Sequence, residues 1–335
     1  MKVADFDFFL PEYLVAKRPL KERSNSRLLV LHKDGIVEHK RFSDLPSYLD
    51  KGDLLITNNT RVFPARLTGL KKSGGRLEIL LVRKKEGNAW EVLSKGRFTG
   101  TLKISEGLQL ELHNGDTAYF KYSGDFMDII WKYGNMPLPP YIKRSPDESD
   151  KETYQTIYAK KEGSIAAPTA GLHFTNRLLN KITSKGILLR ELTLHVGIGT
   201  FSPIRTKNVE EHSMGIEYFE IDNELISEIK EVKASGKRVI SVGTTTTRAI
   251  EGYMSSNCNV FSQNGRLKGT TDIFIYPGYR FSIVDSLVTN FHLPRSTPLM
   301  LASAMYGWEN LIKAYKEAIA EGYRFLSYGD AMLIL

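Results

Sequence analysis

Between residues 61 and 127 the chain breaks into short alternating apolar pieces separated by turn signals, and no other feature restricts its fold as much. Residues 76–82, 89–93, 107–112 and 118–122 read as strands. Gly74-Gly75, Glu86-Gly87-Asn88 and Asn114-Gly115-Asp116 supply the turns between them. Several short strands at this spacing predict a small antiparallel barrel or sandwich. The chain's charge is concentrated in the same stretch. Arg61, Arg66, Lys71, Lys72, Arg76, Arg83, Lys84, Lys85, Lys95, Arg97 and Lys103 face only Glu78, Glu86 and Glu91, while the whole chain carries +8. The remaining residues therefore sum to about neutral. A localised basic excess suits a polyanionic partner such as nucleic acid, although a solvated basic surface accounts for the same residues.

On either side the texture is α/β. Residues 27–31 and 36–40 flank Lys33-Asp34-Gly35 as a hairpin, and 53–57 is a buried-strand run. Further on, a helix over 176–184 ends at Gly186 and a strand follows within 187–196. Asp222 opens a helix that runs to Ser235, before Gly236. A strand at 239–242 leads into a helix from about Thr246, and a strand at 286–290 leads into one around 299–305. Residues 308–321 are helical, and 323–328 with 331–335 read as a closing strand pair. Met136-Pro137-Leu138-Pro139-Pro140-Tyr141-Ile142 reads as a stiff connector and 145–152 as an exposed loop. The expected architecture is an α/β major domain made of 1–60 and 128–335. It is interrupted by an inserted basic antiparallel β-barrel domain at 61–127; two sequential domains are the alternative.

Cys258 is the only cysteine, so an intramolecular disulfide and thiolate-held zinc or iron–sulfur centres are excluded within one chain. The seven histidines contain no HExxH pair. No run approaches the roughly 20 apolar residues of a membrane span. The opening Met1-Lys2-Val3-Ala4-Asp5 lacks the pattern of a signal peptide, so a cytoplasmic protein is expected.

Six segments carry candidate chemistry. Val239-Ile240-Ser241-Val242-Gly243-Thr244-Thr245-Thr246-Thr247-Arg248 takes a buried strand through a small-residue turn into a helix. Backbone N–H groups at such a helix start bind anions, and plain helix capping by threonine is the bland alternative. In Leu194-His195-Val196-Gly197-Ile198-Gly199-Thr200-Phe201 two glycines permit close approach of a ligand, or simply mark a turn. Ala166-Ala167-Pro168-Thr169-Ala170-Gly171-Leu172-His173-Phe174 leaves room for a flat ligand, or is only a tight connection. Asn290, Phe291 and His292 follow a strand, where α/β crevices open; His292 is an acid–base candidate or a satisfied structural histidine. His212 and Glu217 share a further segment, whose alternative reading is a surface loop. Asn58-Asn59-Thr60-Arg61-Val62-Phe63-Pro64-Ala65-Arg66 lies where the two textures meet, a preferred position for a cleft. On these residues alone the chain is an α/β enzyme or binder with a basic β module.

The same segments resemble the S-adenosylmethionine:tRNA ribosyltransferase-isomerase family of queuosine biosynthesis. NNTRVFPARL, MPLPPYI, AAPTAGLHF, LTLHVGIGTF, VGTTTTR, IFIYPGYRF, LVTNFHLPRST and YRFLSYGDAM occur in the family's order over nearly the whole chain. The resemblance implies transfer and isomerisation of the ribosyl part of S-adenosylmethionine onto 7-aminomethyl-7-deazaguanine at the tRNA wobble position, giving epoxyqueuosine, adenine and methionine. It implies no metal and no organic cofactor, with S-adenosylmethionine as co-substrate. The partners it implies are a tRNA carrying the queuine precursor and no membrane, and a monomer is expected. His173, His195, His212, His292, Glu217 and Asp330 become the catalytic candidates. Asn58, Asn59, Thr60, Arg61, Arg66, Pro168, Thr169, Ala170, Gly171, Gly197, Gly199, Thr200, Gly243, Thr244, Thr245, Arg248, Asn290 and Phe291 become the substrate-binding ones. The working assignment gives His173 and His292 the protons near the adenine or the amine. Thr244 and Thr245 with Arg248 would hold a carboxylate or phosphate. Gly215 stands where some members carry a second histidine.

Overall fold

The hairpin around Gly35 forms as expected: Arg27–Leu31 (β1) pairs antiparallel with Val37–Arg41 (β2), and Gly35 turns the chain at φ 89°. These elements come from a computed structural model that describes residues 1–197, 199, 203–255 and 258–335. Leu54–Asn58 (β3) is buried at every position, as a central strand covered on both faces must be. Thr60–Val62 (β4) follows and leads into the predicted β region.

That region is a closed antiparallel barrel. Its strands are Arg66–Lys71 (β5), Arg76–Lys84 (β6), Ala89–Ser94 (β7), Gly100–Ser105 (β8), Leu108–His113 (β9) and Thr117–Tyr122 (β10), joined in the order β10-β7-β6-β5-β8-β9. In β9 the alternation is complete: Leu108, Leu110 and Leu112 face inward, while Gln109, Glu111 and His113 are exposed. Strands β5 and β8 lie outside the strands expected from sequence. In β5 a Cβ on Gly69 would lie 2.8 Å from Leu102 Cβ, so the glycine permits the close approach of β8. Lys72, Arg76, Arg83, Lys84, Lys85, Lys95, Arg97 and Lys103 are exposed on its outside.

After the barrel come Phe126–Tyr133 (α1), Asp150–Thr153 (α2), Lys161–Ser164 (β11) and Asn176–Ser184 (α3). The Asp125 carboxylate caps α1 by accepting the Asp128 N–H at 3.0 Å, and Thr175 caps α3. Then follow Leu188–Leu194 (β12), Glu217–Asp222 (β13), Asn223–Ala234 (α4), Val239–Val242 (β14) and Thr244–Met254 (α5). Asn259–Gln263 (β15), Arg266–Thr271 (β16), Ser286–Asn290 (β17), Thr297–Tyr306 (α6), Trp308–Ala320 (α7) and Ala331–Ile334 (β18) complete the chain.

One mixed sheet collects the strands from before and after the barrel, in the order β15-β16-β13-β12-β3-β14-β17-β18-β1-β2. Strands β3 and β12 pair side by side, so the chain leaves the sheet at Asn58 and re-enters it next door at Leu188. Alternate residues feed opposite layers. Leu28, Val30, Leu55 and Ile240 pack toward α3 with Phe174, Leu178 and Ile182. Leu29, Leu31 and Leu287 pack with residues of α6 and α7, and Leu54, Ile56 and Val239 with residues of α4 and α5. Among the described residues no helix is long and apolar enough to cross a membrane.

Three local expectations are corrected. Residues 323–328 form no strand: Phe325 makes only an isolated bridge to Val15, and Leu326 takes φ 69°, which ends extended pairing. Strand β18 pairs instead with β1 and β17. The stretch 145–152 is not wholly exposed, because Asp150 is completely buried against Arg144, whose Nη2 lies 2.6 Å away. The connector at 136–142 packs inward through Met136, Leu138 and Ile142 rather than spanning solvent.

Candidate active site

The parallel strands β3, β12, β14 and β17 end on one edge of the sheet, at Asn58, Leu194, Val242 and Asn290. The antiparallel β13 and β18 begin on that edge, at Glu217 and Ala331. Carboxyl ends of parallel strands are where α/β sheets open a ligand crevice. A cleft opens in this region, at the kind of position where α/β sheets take small molecules. Its walls are the 167–170 turn, the β14–α5 junction (Gly243, Thr244, Thr245), the end of β17 with the loop beyond it, and Tyr141, Leu326 and Ser327. Gly243 makes the first junction possible, since its φ of 89° turns the strand directly into the helix. That places the first N–H groups of α5 at the cleft, where the helix dipole favours an anion.

Of the four candidate histidines, His292 alone among the described residues lines this cleft. Its Nε2 lies 2.9 Å from the Thr289 hydroxyl, and Nδ1 has no partner among the described residues. A hydroxyl both donates and accepts, so Thr289 satisfies either tautomer of the ring. Burial pushes the His292 pKa down to about 3. His173 is also driven to about 3, by burial first and then by the charges of Arg324 and Arg23. It sits behind the cleft, with Nδ1 2.7 Å from Ser26 Oγ, Nε2 3.0 Å from Asn290 Nδ2, and its ring stacked 4.9 Å from Phe42. His195 lies off the cleft, with Nδ1 2.8 Å from Thr60 Oγ1; burial lowers its pKa against the pull of Glu220. His212 packs edge-on against Phe274, and burial lowers its pKa as well.

Glu217 and Arg248 are brought together, but away from the cleft lining. They form a buried ion pair in which the guanidinium also donates from Nε to the Ile273 carbonyl at 3.1 Å. Arg248 Nη2 has no hydrogen-bond partner among the described residues. The Glu217 Oε1 atom accepts the Gly197 N–H at 3.0 Å, which ties the glycine turn after β12 to this pair. Asp330 is buried and accepts from the Arg27 and Arg324 backbone N–H groups at 3.0 and 2.8 Å.

Pro168, Thr169, Ala170, Gly243, Thr244, Thr245, Asn290 and Phe291 line the cleft. The Asn58-to-Arg66 group does not. Asn58 staples β3 to β12, donating to the Leu194 carbonyl at 2.9 Å and accepting its N–H at 3.0 Å. Asn59 joins Glu191 and Thr193, and Thr60 holds His195. Arg61 lies over the Trp131 ring at 4.7 Å, and Arg66 joins Glu78 to the Leu138 carbonyl. Gly171 is required by packing, since a Cβ there would meet Tyr158 Oη at 2.1 Å. Gly199 lies outside the lining, with the Gly215 nitrogen 3.7 Å from where its Cβ would be, and Thr200 falls outside the described residues. Sequence reasoning missed Tyr141, Thr289, Ser296, Leu326 and Ser327 as cleft residues. Tyr141 and Ser327 stood within the family-like motifs, and their hydroxyls lie 2.7 Å apart. Among the described residues no group of three or more His, Cys, Asp or Glu side chains is arranged to hold a metal ion.

The family model described as queuosine biosynthesis protein matches residues 3–334. An S-adenosylmethionine:tRNA ribosyltransferase-isomerase of Thermodesulfovibrio yellowstonii is 53% identical, with 100% of both chains covered. One of Halothermothrix orenii is 49% identical, again over 100% of both chains. A crystal structure of the S-adenosylmethionine tRNA ribosyltransferase of Thermotoga maritima superposes with a TM-score of 0.58 at 34% identity, covering 99% of this chain and 100% of that one.

Proposed function

The chain belongs to the queuosine biosynthesis protein family, and from that membership we infer that it transfers the ribosyl part of S-adenosylmethionine to a tRNA. The acceptor is the aminomethyl nitrogen of 7-aminomethyl-7-deazaguanine at the wobble position. The sugar is isomerised to an epoxycyclopentane, and adenine and methionine depart. Kinship over the full length of the chain carries this reading. Its direct test is a product analysis with S-adenosylmethionine and the modified tRNA. Adenine and methionine are expected; S-adenosylhomocysteine would instead mark a methyltransferase, and no turnover would mark a tRNA binder.

The chemistry asks for a group that handles a proton, because the sulfonium acidifies the adjacent C5′–H and the incoming amine must lose a proton. His292 suits that role, since it lines the cleft and Thr289 can accept from Nε2 while Nδ1 takes up and returns a proton. Thr244 and Thr245, at the start of α5, suit the methionine carboxylate or a phosphate. His195, His212, Glu217, Arg248 and Asp330 lie outside the cleft lining and fit supporting roles better. The cleft is built within one chain, so a monomer is the expected working unit, and a tRNA substrate implies an enzyme that works in the cytoplasm.

The barrel is proposed as an inserted tRNA-binding unit, because its outer face carries the chain's basic excess. Reversing Lys84, Lys85 and Lys95 to glutamate is expected to weaken tRNA binding and flatten its salt dependence, by about one unit of slope for each phosphate no longer neutralised. Titrations across salt concentrations check this. An unchanged slope would remove the barrel from the interface.

A further inference from the structure

We propose that His173 is a positioning residue, locked as the neutral Nδ1–H tautomer, which turns the Asn290 side-chain carbonyl into the cleft as a hydrogen-bond acceptor for substrate. The inference rests on the reaction proposed above but concerns a different element of the site. Asn290 ends β17, lines the cleft and is itself buried. Its amide meets three groups. Nδ2 lies 3.0 Å from His173 Nε2 and 3.4 Å from the Asp330 carbonyl oxygen, and Oδ1 accepts from the Thr169 hydroxyl at 2.8 Å.

The Asp330 carbonyl decides which way the amide faces. With the amide reversed, two oxygens would face each other there with no hydrogen between them. The N–H side therefore points back toward His173 and Asp330. His173 Nε2 must then be the bare, accepting nitrogen, and the ring hydrogen sits on Nδ1, donating to Ser26 Oγ at 2.7 Å. Arg23 and Arg324, the charged groups acting on the ring, both oppose a second proton. Each ring nitrogen is engaged, and neither can exchange a proton with a ligand without breaking the chain of hydrogen bonds. Two acceptors remain on the cleft side: the second lone pair of Asn290 Oδ1 and the oxygen of Thr169, whose own hydrogen is committed to Asn290. Together they favour a donor-rich partner, such as an amine or ribose hydroxyls.

His292 differs in what faces it. A hydroxyl faces His292 and permits either tautomer, whereas an amide N–H faces His173 and permits one. Two histidines with equally depressed pKa values thus take different parts.

The experiment compares wild type, H173F and H173Q. Phenylalanine keeps the stacking on Phe42 but accepts nothing; glutamine keeps an acceptor for Asn290. H173F is expected to lower kcat/KM by about 100-fold, the scale of a misplaced contact. H173Q should recover most of that loss, with a pH–rate profile the shape of wild type. Ring-nitrogen NMR of the wild-type protein should show Nδ1 protonated and Nε2 bare across neutral pH. Full activity in H173F would overturn the proposal, as would an Nε2–H tautomer or the loss of one limb of the pH profile in H173Q. The NMR result needs no turnover. If wild type releases no adenine, the reaction assignment fails while the tautomer still decides the placement of Asn290.

Discussion

Replacing Arg248 with alanine is expected to cost about 3–5 kcal/mol of stability, a large share of the roughly 5–15 kcal/mol that keeps an ordinary domain folded. The pair it forms with Glu217 has side-chain exposures of only 7% and 4%. Both charges have been taken out of water, and alanine would leave the carboxylate there without the guanidinium. The hydrogen bond from Gly197 does not replace a full positive charge. The damage falls where the cleft is built, because the pair joins the first turns of α5, the start of β13 and the turn after β12. Urea unfolding measures the effect as a shift of midpoint at unchanged slope. The double variant R248M/E217Q removes both charges and should regain more than half of the loss, since the cost lies in burying a carboxylate without its guanidinium rather than in the bond. If R248A unfolded within about 1 kcal/mol of wild type, the buried pair would be an ordinary surface-like contact.

The same pair shows where sequence reasoning ran out. Arg248 follows four threonines at a helix start, a setting that suggests an anion from outside the chain. Its partner is an internal carboxylate 31 positions earlier, at the start of a strand that does not pair with β14. Local pattern carries the elements: buried runs became β3, β14 and β17, and the alternation in 107–112 became β9. It does not carry pairing between distant segments. That β1 lies beside β18, and that Ser26 therefore meets His173 behind Asn290, follows from closing the sheet with strands from opposite ends of the chain. The prolines at 137, 139 and 140 suggest a linker because they cannot supply ladder hydrogen bonds. Their apolar neighbours instead bury Met136, Leu138 and Ile142 and bring Tyr141 to the cleft wall. Leu326 was invisible for a different reason. Its φ of 69° is unfavourable for leucine and is held by the bonds from its N–H to the Phe291 carbonyl and from the Gly329 N–H to its own carbonyl.

His292→Ala is expected to lower the single-turnover rate of adenine release by about 10²–10⁴-fold with only a small change in KM, the range for loss of a positioned acid or base. With a pKa near 3 the imidazole is neutral at physiological pH, so it offers one N–H and one lone pair rather than a charge. Nε2 faces Thr289, and Nδ1 is the atom left to a ligand. With Nε2–H donating to the threonine oxygen, Nδ1 can accept a proton to give the imidazolium and return it later, and the same hydrogen bond holds the ring in both states. Thr289→Val would remove that acceptor while keeping the shape of the side chain. It should therefore reduce kcat by less than H292A, about 10-fold, with KM again little changed. The sign with pH is determined as well. Protonation of His292 in the free enzyme sets in only far below neutrality, so kcat/KM should show no limb from this residue near pH 6.5, its unperturbed value. A wild-type limb near that value that disappears in H292A would show a histidine titrating normally and would contradict a buried, neutral ring. An H292A rate within about threefold of wild type would take proton handling away from His292, because a general acid or base is worth far more than that.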